Sequence, residues 1–252
     1  MVDDGSYVLH CEEADTRFFE ETPALCAAPA PVSVAVFDLD RTITRRGTWS
    51  PFLIAAARKR APWRLLMVPA VIGAMGGYKL GLLSRQGLKQ FMHHCMIGGT
   101  LDRAAVQRLS DDFADRVVAK EVRADALTQI RREQARGARV IVASAANCFY
   151  LRAIAARLGV DDVVGTESDW TGDCLRPKLS GENCYGKAKR DRVLAYLAAQ
   201  GLDRSRIHIR FYSDDASDLP LFESVDEPIA VNPTSKLRAI AHLRGWPTLQ
   251  WA

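Results

Sequence analysis

Residues 33–44 read SVAVFDLDRTIT, a short apolar and β-branched run that ends in acids. The run predicts a buried strand over 33–39 that carries Asp38 and Asp40 at its carboxyl end. Two carboxylates so placed can serve one site if the chain turns directly after them. One could attack a substrate while the other moves a proton. This stretch therefore predicts both a sheet and the centre of a reactive site.

Similar runs recur along the chain, at 139–143, 207–213 and 228–231. Helical patterns lie between them, at about 102–136, 147–158, 187–200 and 235–243. Alternating strands and helices are typical of a parallel sheet covered by helices on both faces. We predict an α/β fold with a doubly wound, Rossmann-like parallel sheet, in which ligands bind beyond the carboxyl ends of the strands.

The alternation is interrupted at residues 45–120, which are rich in helix-compatible apolar residues and predict a helical cap inserted over the site. The core then comprises residues 32–44 and 121–252. Residues 1–31 are expected to form an N-terminal tail or packing arm. Because the chain starts with acidic residues and not with the basic residues of a secretory signal, we expect a cytoplasmic location.

Composition is that of an ordinary globular protein. Apolar residues make up 48% and charged residues 25%, which argues against a disordered or fibrous class. The six cysteines form no C-x-x-C pair and have no histidine at zinc spacing, so free thiols are expected. No basic motif interleaved with aromatic residues supports a nucleic-acid partner.

The predicted cap has a strongly positive charge. No Asp or Glu occurs between Arg41 and Leu101, although the net charge of the whole chain is only +4. Ten basic residues fall in this stretch, namely Arg41, Arg45, Arg46, Arg58, Lys59, Arg60, Arg64, Lys79, Arg85 and Lys89. A cationic surface concentrates anionic partners. We therefore expect an anionic substrate and a peripheral contact of the cap with the anionic inner face of a membrane.

Residues 65–83 of the cap read LLMVPAVIGAMGGYKLGLL and are nearly all apolar. A membrane-spanning helix needs about 20 apolar residues, whereas this segment contains Pro69, Lys79 and four glycines. The composition favours a buried helical hairpin. An interfacial segment on anionic lipid is the second interpretation, and a spanning helix is the third.

Two further parts of the sequence carry side chains suited to phosphate chemistry, one after the strand predicted over 139–143 and one at the start of the helix predicted over 187–200. Ser144 could donate a hydrogen bond to a phosphoryl oxygen, or it could cap the next helix. Lys187, Lys189 and Arg190 follow Gly186, and one fixed ammonium would offset the repulsion between a phosphoryl group and an attacking carboxylate. The same three residues could equally form an ordinary basic helix face.

Three acids lie within five residues in the stretch YSDDASDLP at 212–220. Asp214, Asp215 and Asp218 would repel one another unless a cation lay nearby. Oxygen ligands suit Mg²⁺, which keeps several waters and needs only one or two protein carboxylates. An acid-rich helix N-terminus would give the same pattern, but Asp38 can supply a complementary ligand. We predict Mg²⁺ as the cofactor.

Together these motifs resemble those of the haloacid dehalogenase superfamily, in the branch similar to phosphoserine phosphatases, from about Val34 to Pro233. FDLDRTIT resembles the D-x-D-x-T motif of the family. This resemblance implies Asp38 as nucleophile and metal ligand. It implies Asp40 as general acid/base, with its backbone carbonyl on the metal.

The remaining motifs carry further implied roles. Ser144 falls on the second motif. GENCYGKAKR resembles the third, often Gly-x-x-Lys, which selects Lys189 as the catalytic lysine with Lys187 as the alternative. FYSDDASDLPLF resembles the fourth, which implies Asp214 as a Mg²⁺ ligand and Asp218 as an acid supporting the metal or the lysine. The residues expected to contact the substrate or its phosphate are Thr42, Ser144, Lys187 and Asp218.

The sequence departs from the family pattern at two places. Asp215 replaces the usual serine, and Ala145–Ala146 replace a more polar pair, so affinity for metal or substrate could differ. The cap also lacks the acid that a phosphoserine pocket would offer to an amino group. It looks more like the cap of the phosphatidylglycerophosphate phosphatases of the same branch.

We therefore predict a phosphomonoester hydrolase that acts through an aspartyl-phosphate on an anionic, lipid-linked phosphate. A phosphatase for phosphoserine or another small metabolite is the alternative. From a different class, a receiver-type signalling module would also use clustered acids, a hydroxyl and a lysine. Receivers lack an acid two residues after the nucleophile and need only about half this length. An inactive membrane- or nucleic-acid-binding protein is a third interpretation.

Overall fold

A parallel sheet of six strands forms the centre of the computed structural model, which describes residues 31–252. The predicted tail, apart from Pro31, lies outside the described residues. The strands are β1 (Val32–Phe37), β2 (Leu101–Asp102), β3 (Arg139–Asn147), β4 (Asp162–Thr166), β5 (Ser168–Thr171), β6 (Cys174–Leu179), β7 (Ile207–Ser213), β8 (Glu227–Val231) and β9 (Thr248–Leu249). The main sheet has the order β4-β3-β1-β7-β8-β9, and β2, β6 and β5 form a small antiparallel sheet.

Helices cover both faces of the main sheet and also fill the segment between β1 and β2. They are α1 (Trp49–Arg60), α2 (Val68–Lys79), α3 (Arg85–Met96), α4 (Arg103–Lys120), α5 (Ala124–Ala135), α6 (Cys148–Arg157), α7 (Lys187–Ala199), α8 (Leu219–Phe222) and α9 (Ser235–Arg244). Short 3-10 helices occur at Pro62–Met67, Arg204–Arg206 and Ala216–Asp218. The predicted α/β fold with a doubly wound parallel sheet is confirmed.

The alternation of side chains in β1 explains why the sheet has helices on both sides. Val34 and Val36 point into one apolar cluster, with residues of α7, α8 and α9. Ala35 and Phe37 point into the other, with residues of α1, α4, α5 and α6. Successive side chains of a strand lie on opposite faces, so an all-apolar strand must be buried on both faces.

The helical pattern predicted over about 102–136 forms two helices, α4 and α5, and not one. The backbone leaves the helix at residues 121–123 and pairs with the chain that follows β1. Arg45 N donates to Glu121 O (2.8 Å), and Arg123 N donates to Ile43 O (2.9 Å). Local periodicity could not show this break, since the backbone partners lie about 80 residues away in the sequence.

The segment 65–83 also differs from the favoured interpretation. Residues 68–96 do form two successive helices, but the first is not buried, because Val71 is the one buried residue of α2. Within residues 31–252, no helix is both long and apolar enough to cross a membrane. The structure thus contradicts the buried hairpin for this segment and provides no spanning helix.

A buried ion pair anchors α5 beneath the sheet. The Glu133 carboxylate, fully buried, accepts hydrogen bonds from Arg210 Nη2 (2.7 Å) and from the Tyr212 hydroxyl (2.9 Å). The Tyr212 ring in turn stacks on Phe37, with the ring centroids 4.4 Å apart. This network joins α5 to the ends of β1 and β7, from which the candidate site residues extend.

Replacing Arg210 with Met tests this network. The change leaves the buried Glu133 carboxylate with only the longer, partly exposed pair to Arg136 (3.6 Å), so we expect the free energy of unfolding to fall by about 3 kcal/mol. Urea denaturation measures the loss. Arg244→Met is the matched control, because Arg244 pairs with Glu223 at the surface (2.9 Å) and such a pair contributes about 0–1 kcal/mol. Equal losses in the two variants would contradict the assigned role of the network.

Candidate active site

A cavity of about 620 Å³ opens at the carboxyl ends of β1, β3 and β7. Its core side is lined by Asp38, Asp40, Arg41, Ser144, Lys189, Asp214, Asp215 and Asp218. Its other side is formed by α1, α2 and α3, with Trp49, Met75, Tyr78, Lys79, Arg85, Leu88, Lys89 and Met92. A larger depression of about 800 Å³ beside α9 contains no acid. The first cavity therefore gathers most of the predicted site residues.

A tight turn after β1 brings two carboxylates to this cavity. Asp38 N donates to Tyr212 O (2.9 Å) and so continues the pairing of β1 with β7. Thr44 N then donates to Leu39 O (2.9 Å), and Arg41 adopts a left-handed backbone with φ of 67°. A non-glycine residue takes this conformation at a cost. The turn provides the condition under which Asp38 and Asp40 can act at one site.

Lys189 lies between two carboxylates at the floor of the cavity. Its Nζ donates to Asp38 Oδ1 and to Asp218 Oδ2, each at 2.7 Å. Ser213 Oγ also donates to Asp218 Oδ2 (2.7 Å). Burial lowers the pKa of Lys189, but the Asp218 and Asp38 carboxylates outweigh burial and raise it above its ordinary value. The lysine is therefore held in its charged form.

Lys187, proposed as the alternative to Lys189, points away from the site. Its Nζ pairs with Asp191 Oδ2 (2.7 Å), one helical turn further along α7, and its side chain is 74% exposed. The expectation that Lys187 binds phosphate is therefore corrected. Residues two apart on a helix point about 200° apart around its axis, so only one of the two lysines can face the cavity.

The Asp40 side chain is fixed at a part-buried position beside the cavity. Its Oδ1 accepts hydrogen bonds from Thr48 N and Thr48 Oγ1, both at 2.8 Å. Thr48 Oγ1 lies 3.2 Å from the Tyr150 hydroxyl. Burial raises the pKa of Asp40, and the hydrogen bonds from Thr48 oppose this shift. A carboxyl group with a raised pKa is suited to hold and release a proton.

Ser144 and Thr42 lie at the site in different roles. Ser144 Oγ accepts a hydrogen bond from Ala146 N (3.1 Å), which leaves its own hydroxyl proton free to be donated into the cavity. It does not cap α6, whose first residue is Cys148. Thr42, fully buried, directs its hydroxyl to Asp214 Oδ1 at 3.4 Å. Thr42 therefore contacts Asp214, the predicted metal ligand. It does not line the cavity, in contrast to the expectation that it contacts the phosphate of the substrate.

The buried carboxylates of the site have too few positively charged partners among the described residues, as expected of a site that binds a cation. Burial, followed by the nearby Asp215 and Asp218 carboxylates, raises the pKa of Asp214 to about 7. Burial also raises the pKa of Asp38 well above its usual range, despite the opposing Lys189 ammonium. Asp218 Oδ1 is buried with no hydrogen-bond donor among the described residues.

The donor set suits Mg²⁺ with few protein ligands. In the part of the chain that the structure describes, no group of three or more His, Cys, Asp or Glu side chains is arranged around a metal position. The predicted shell needs only two carboxylates, from Asp38 and Asp214, with the Asp40 backbone carbonyl. Mg²⁺ is commonly held by one or two carboxylates and completes its shell with water and phosphate.

Lys89 is a site residue that sequence reasoning placed only among the charges of the cap. It is buried on α3, and its Nζ donates to Ala145 O (2.6 Å) and to Asn183 Oδ1 (3.2 Å). Burial lowers the pKa of Lys89 to about 7, while Asp40 opposes this shift. A signal was present, since Lys89 shares the buried helix face with Met92 and Met96, where a charge is unusual.

Comparison with known proteins defines the class. A family model described as haloacid dehalogenase-like hydrolase matches residues 35–223, which is most of the chain. The chain therefore belongs to the haloacid dehalogenase-like hydrolase family, and the resemblance drawn from its motifs is confirmed.

Individual relatives match most of the length of the chain. A Mycobacterium tuberculosis protein named "Probable phosphatase" is 28% identical over 234 residues, which are 89% of this chain and 77% of that protein. The solved structure of a Bordetella pertussis protein of unknown function is 26% identical with a TM-score of 0.78, covering 87% of this chain and 99% of that one. A phospho-aspartyl intermediate analogue of phosphoserine phosphatase, 16% identical, has a TM-score of 0.60 over 87% of this chain and 93% of its own, which shows the same fold.

Replacing Lys189 with Met tests whether the buried triad depends on this lysine. Two buried carboxylates would lose their shared cation, a loss of about 3–5 kcal/mol, so we expect the Tm to fall by about 10 °C for a protein of this size. Differential scanning calorimetry measures the shift. Lys187→Met should leave the Tm nearly unchanged because its ion pair is exposed. A similar fall in both variants would refute the distinction between the two lysines.

Proposed function

We propose that the protein is a Mg²⁺-dependent phosphomonoester hydrolase that uses Asp38 as its nucleophile. The observation that carries this proposal is the Lys189 ammonium, bonded to Asp38 at 2.7 Å in a cavity that Asp40 also lines. A nucleophile, a proton donor and a charge-neutralising group are the parts that phosphoryl transfer requires. The relative named "Probable phosphatase", which this chain matches over most of its length, supports the same activity.

In the first step, an Asp38 carboxylate oxygen forms a bond to phosphorus and the bond from phosphorus to the substrate alkoxide breaks. Asp40, which hydrogen bonds from Thr48 hold in place, gives its proton to the leaving oxygen. Lys189 and the Ser144 hydroxyl donate to oxygens that gain negative charge. The products are the free alcohol and an aspartyl-phosphate on Asp38.

In the second step, water attacks the phosphorus of the aspartyl-phosphate. The Asp40 carboxylate takes a proton from this water, and the bond between phosphorus and Asp38 breaks. Inorganic phosphate leaves, and both aspartates return to their starting states. Proton transfer of this kind contributes about 10²–10⁴-fold to the rate.

Asp38, Asp214 and the Asp40 carbonyl would hold the Mg²⁺ ion. When bound, the ion supplies positive charge that offsets repulsion between the acidic site and a phosphate dianion. Asp218 supports the lysine through Oδ2, which accepts from Lys189 and Ser213. Its buried Oδ1 has no donor among the described residues and would be available to the ion.

The substrate is an anionic phosphomonoester with an apolar part. The helical side of the cavity offers Lys79, Arg85 and Lys89 for a second negative group. The apolar side chains around them, among them Trp49 and Met75, suit a hydrocarbon portion. Between Arg41 and Leu101 there is no acid to receive the ammonium of phosphoserine. A lipid-linked phosphate such as phosphatidylglycerophosphate therefore fits better than phosphoserine.

Replacing Asp38 with Asn tests the proposed nucleophile. Phosphate release from p-nitrophenyl phosphate in Mg²⁺ should fall by at least about 10³-fold, because an amide does not form the acyl-phosphate. Chelation of Mg²⁺ should abolish the wild-type rate. The control is Asp173→Asn, an exposed acid that pairs with Arg103, and it should keep full activity.

The same assay contains the outcomes that contradict the proposal. Full activity of Asp38→Asn, or a wild-type rate that is indifferent to chelator, would refute the proposed chemistry. The lifetime of the phospho-enzyme, measured by rapid quench, distinguishes a phosphatase from a receiver-type signalling module. A phosphatase should lose the phosphoryl group within seconds, whereas a receiver would keep it much longer.

Lys89→Met tests the preference for a second anionic group. Its KM for phosphatidylglycerophosphate in detergent should rise about tenfold or more, because a charged hydrogen bond contributes about 1.5–3 kcal/mol. The wild-type KM should itself rise as the pH increases through about 7, since Lys89 then loses its proton. With Mg²⁺ at saturating concentration to keep Asp214, whose pKa is also about 7, in its carboxylate form, the variant should lack this rise in KM, whereas the exposed control Lys236→Met should retain it. Faster wild-type turnover of phosphoserine than of the lipid would contradict the preference.

A further inference from the structure

Large apolar side chains at the surface are concentrated in one part of the chain. We use the name apolar segment for residues 62–83, which comprise the 3-10 helix Pro62–Met67, α2 and the turn after it. Of the thirteen large apolar side chains that are exposed in residues 31–252, nine belong to this segment, namely Trp63, Leu66, Met67, Ile72, Met75, Tyr78, Leu80, Leu82 and Leu83. Single exposed apolar residues are normal, but a cluster of this kind marks an interaction surface.

Helix α2 lacks the polar face that a helix in water needs. From Val68 to Gly77 it contains no polar side chain, and Val71 is its one buried residue. Ile72, which lies on the outer side, is 62% exposed. A helix that is apolar all round is stable when it is covered on both sides. Because residues 31–252 cover one side only, the exposed side of α2 is suited to contact with another apolar phase.

The length of α2 decides how a bilayer could cover it. Twelve residues rise about 18 Å, whereas the hydrocarbon core of a bilayer is about 30 Å thick. The helix can therefore lie in the interface with its outer side among the acyl chains, as interfacial amphipathic segments do. The Trp63 ring, 61% exposed at one end of the segment, suits the headgroup region.

Charge favours an anionic bilayer over a second copy of this chain. Arg58, Lys59 and Arg60 end the helix before the apolar segment, and Arg85 begins the helix after it. Lys59 pairs with Asp112, whereas Arg58, Arg60 and Arg85 have no acid partner among the described residues, and no acid lies between Arg41 and Leu101. Two copies meeting at this surface would bring like charges together, whereas anionic headgroups would complement them. We propose that the apolar segment docks the protein onto the surface of an anionic membrane.

Docking would also orient the active site. Met75, Tyr78 and Lys79 belong to the apolar segment and also line the cavity that contains Asp38. The cavity mouth would therefore face the headgroups, and a lipid phosphate could enter without leaving the bilayer. This consequence rests on the proposed function, whereas the docking itself does not.

Vesicle flotation with the full chain tests the docking. The wild-type protein should float with vesicles of phosphatidylcholine mixed with phosphatidylglycerol, and should remain at the bottom with phosphatidylcholine alone. The double variant Leu66→Ser/Ile72→Ser should bind the mixed vesicles about tenfold less, because two exposed apolar side chains lose their buried contact. Leu243→Ser is the matched control, since Leu243 is 84% exposed on α9 and far along the chain from the apolar segment; it should bind like the wild type.

Three results would overturn the proposal. They are no flotation of the wild type, equal flotation with both vesicle types, and an equal loss of binding in Leu243→Ser. Sedimentation velocity provides a fourth: a dimer that dissociates in the Leu66→Ser/Ile72→Ser variant would assign the surface to a second copy of the chain.

Hydrolysis of p-nitrophenyl phosphate, a soluble substrate, is measured in parallel. Because neither Leu66 nor Ile72 lines the cavity, this rate should be unchanged in the double variant, so failure of docking and failure of the phosphatase proposal are told apart.

Discussion

The buried ammonium of Lys189, held between Asp38 and Asp218, is the interaction on which the site depends. Its three members come from the end of β1, the first turn of α7 and the 3-10 turn after β7. Removing one member of a buried ion network leaves a charge without compensation, which is strongly destabilising. The order of the sheet, with β1 beside β7, is what allows these groups to meet.

The triad explains the electrostatic character of the rest of the cavity. Two buried carboxylates and one ammonium leave a net negative charge, and Asp214 adds a further acid whose pKa is raised by burial and by its acidic neighbours. A site of this kind would repel a phosphate dianion without additional positive charge. On the core side a divalent ion can supply it, and on the helical side Lys89, Arg85 and Lys79 contribute it.

The two sides of the cavity would therefore separate two tasks. The core side carries the proposed reactive groups, whereas the helices α1 to α3 carry the groups that would select the alcohol part of the substrate. Lys89 connects the two sides, because it extends from α3 to the Ala145 carbonyl just after Ser144. The apolar segment continues from the same cavity wall to the outer surface, so substrate choice and membrane contact would share residues.

The sequence by itself determined the parallel sheet, the strand ends and the motif residues Asp38, Asp40, Ser144 and Asp214, because periodicity and turn-forming residues act over short distances along the chain. The motif register favoured Lys189 but left Lys187 as the alternative, and tertiary structure decided between them, since Lys189 meets Asp38 across 151 positions in the sequence. It also ended α4 at Lys120, where the backbone pairs with the chain after β1, and left α2 exposed. An apolar pattern shows that a segment avoids water, but only packing shows whether the protein itself provides the cover.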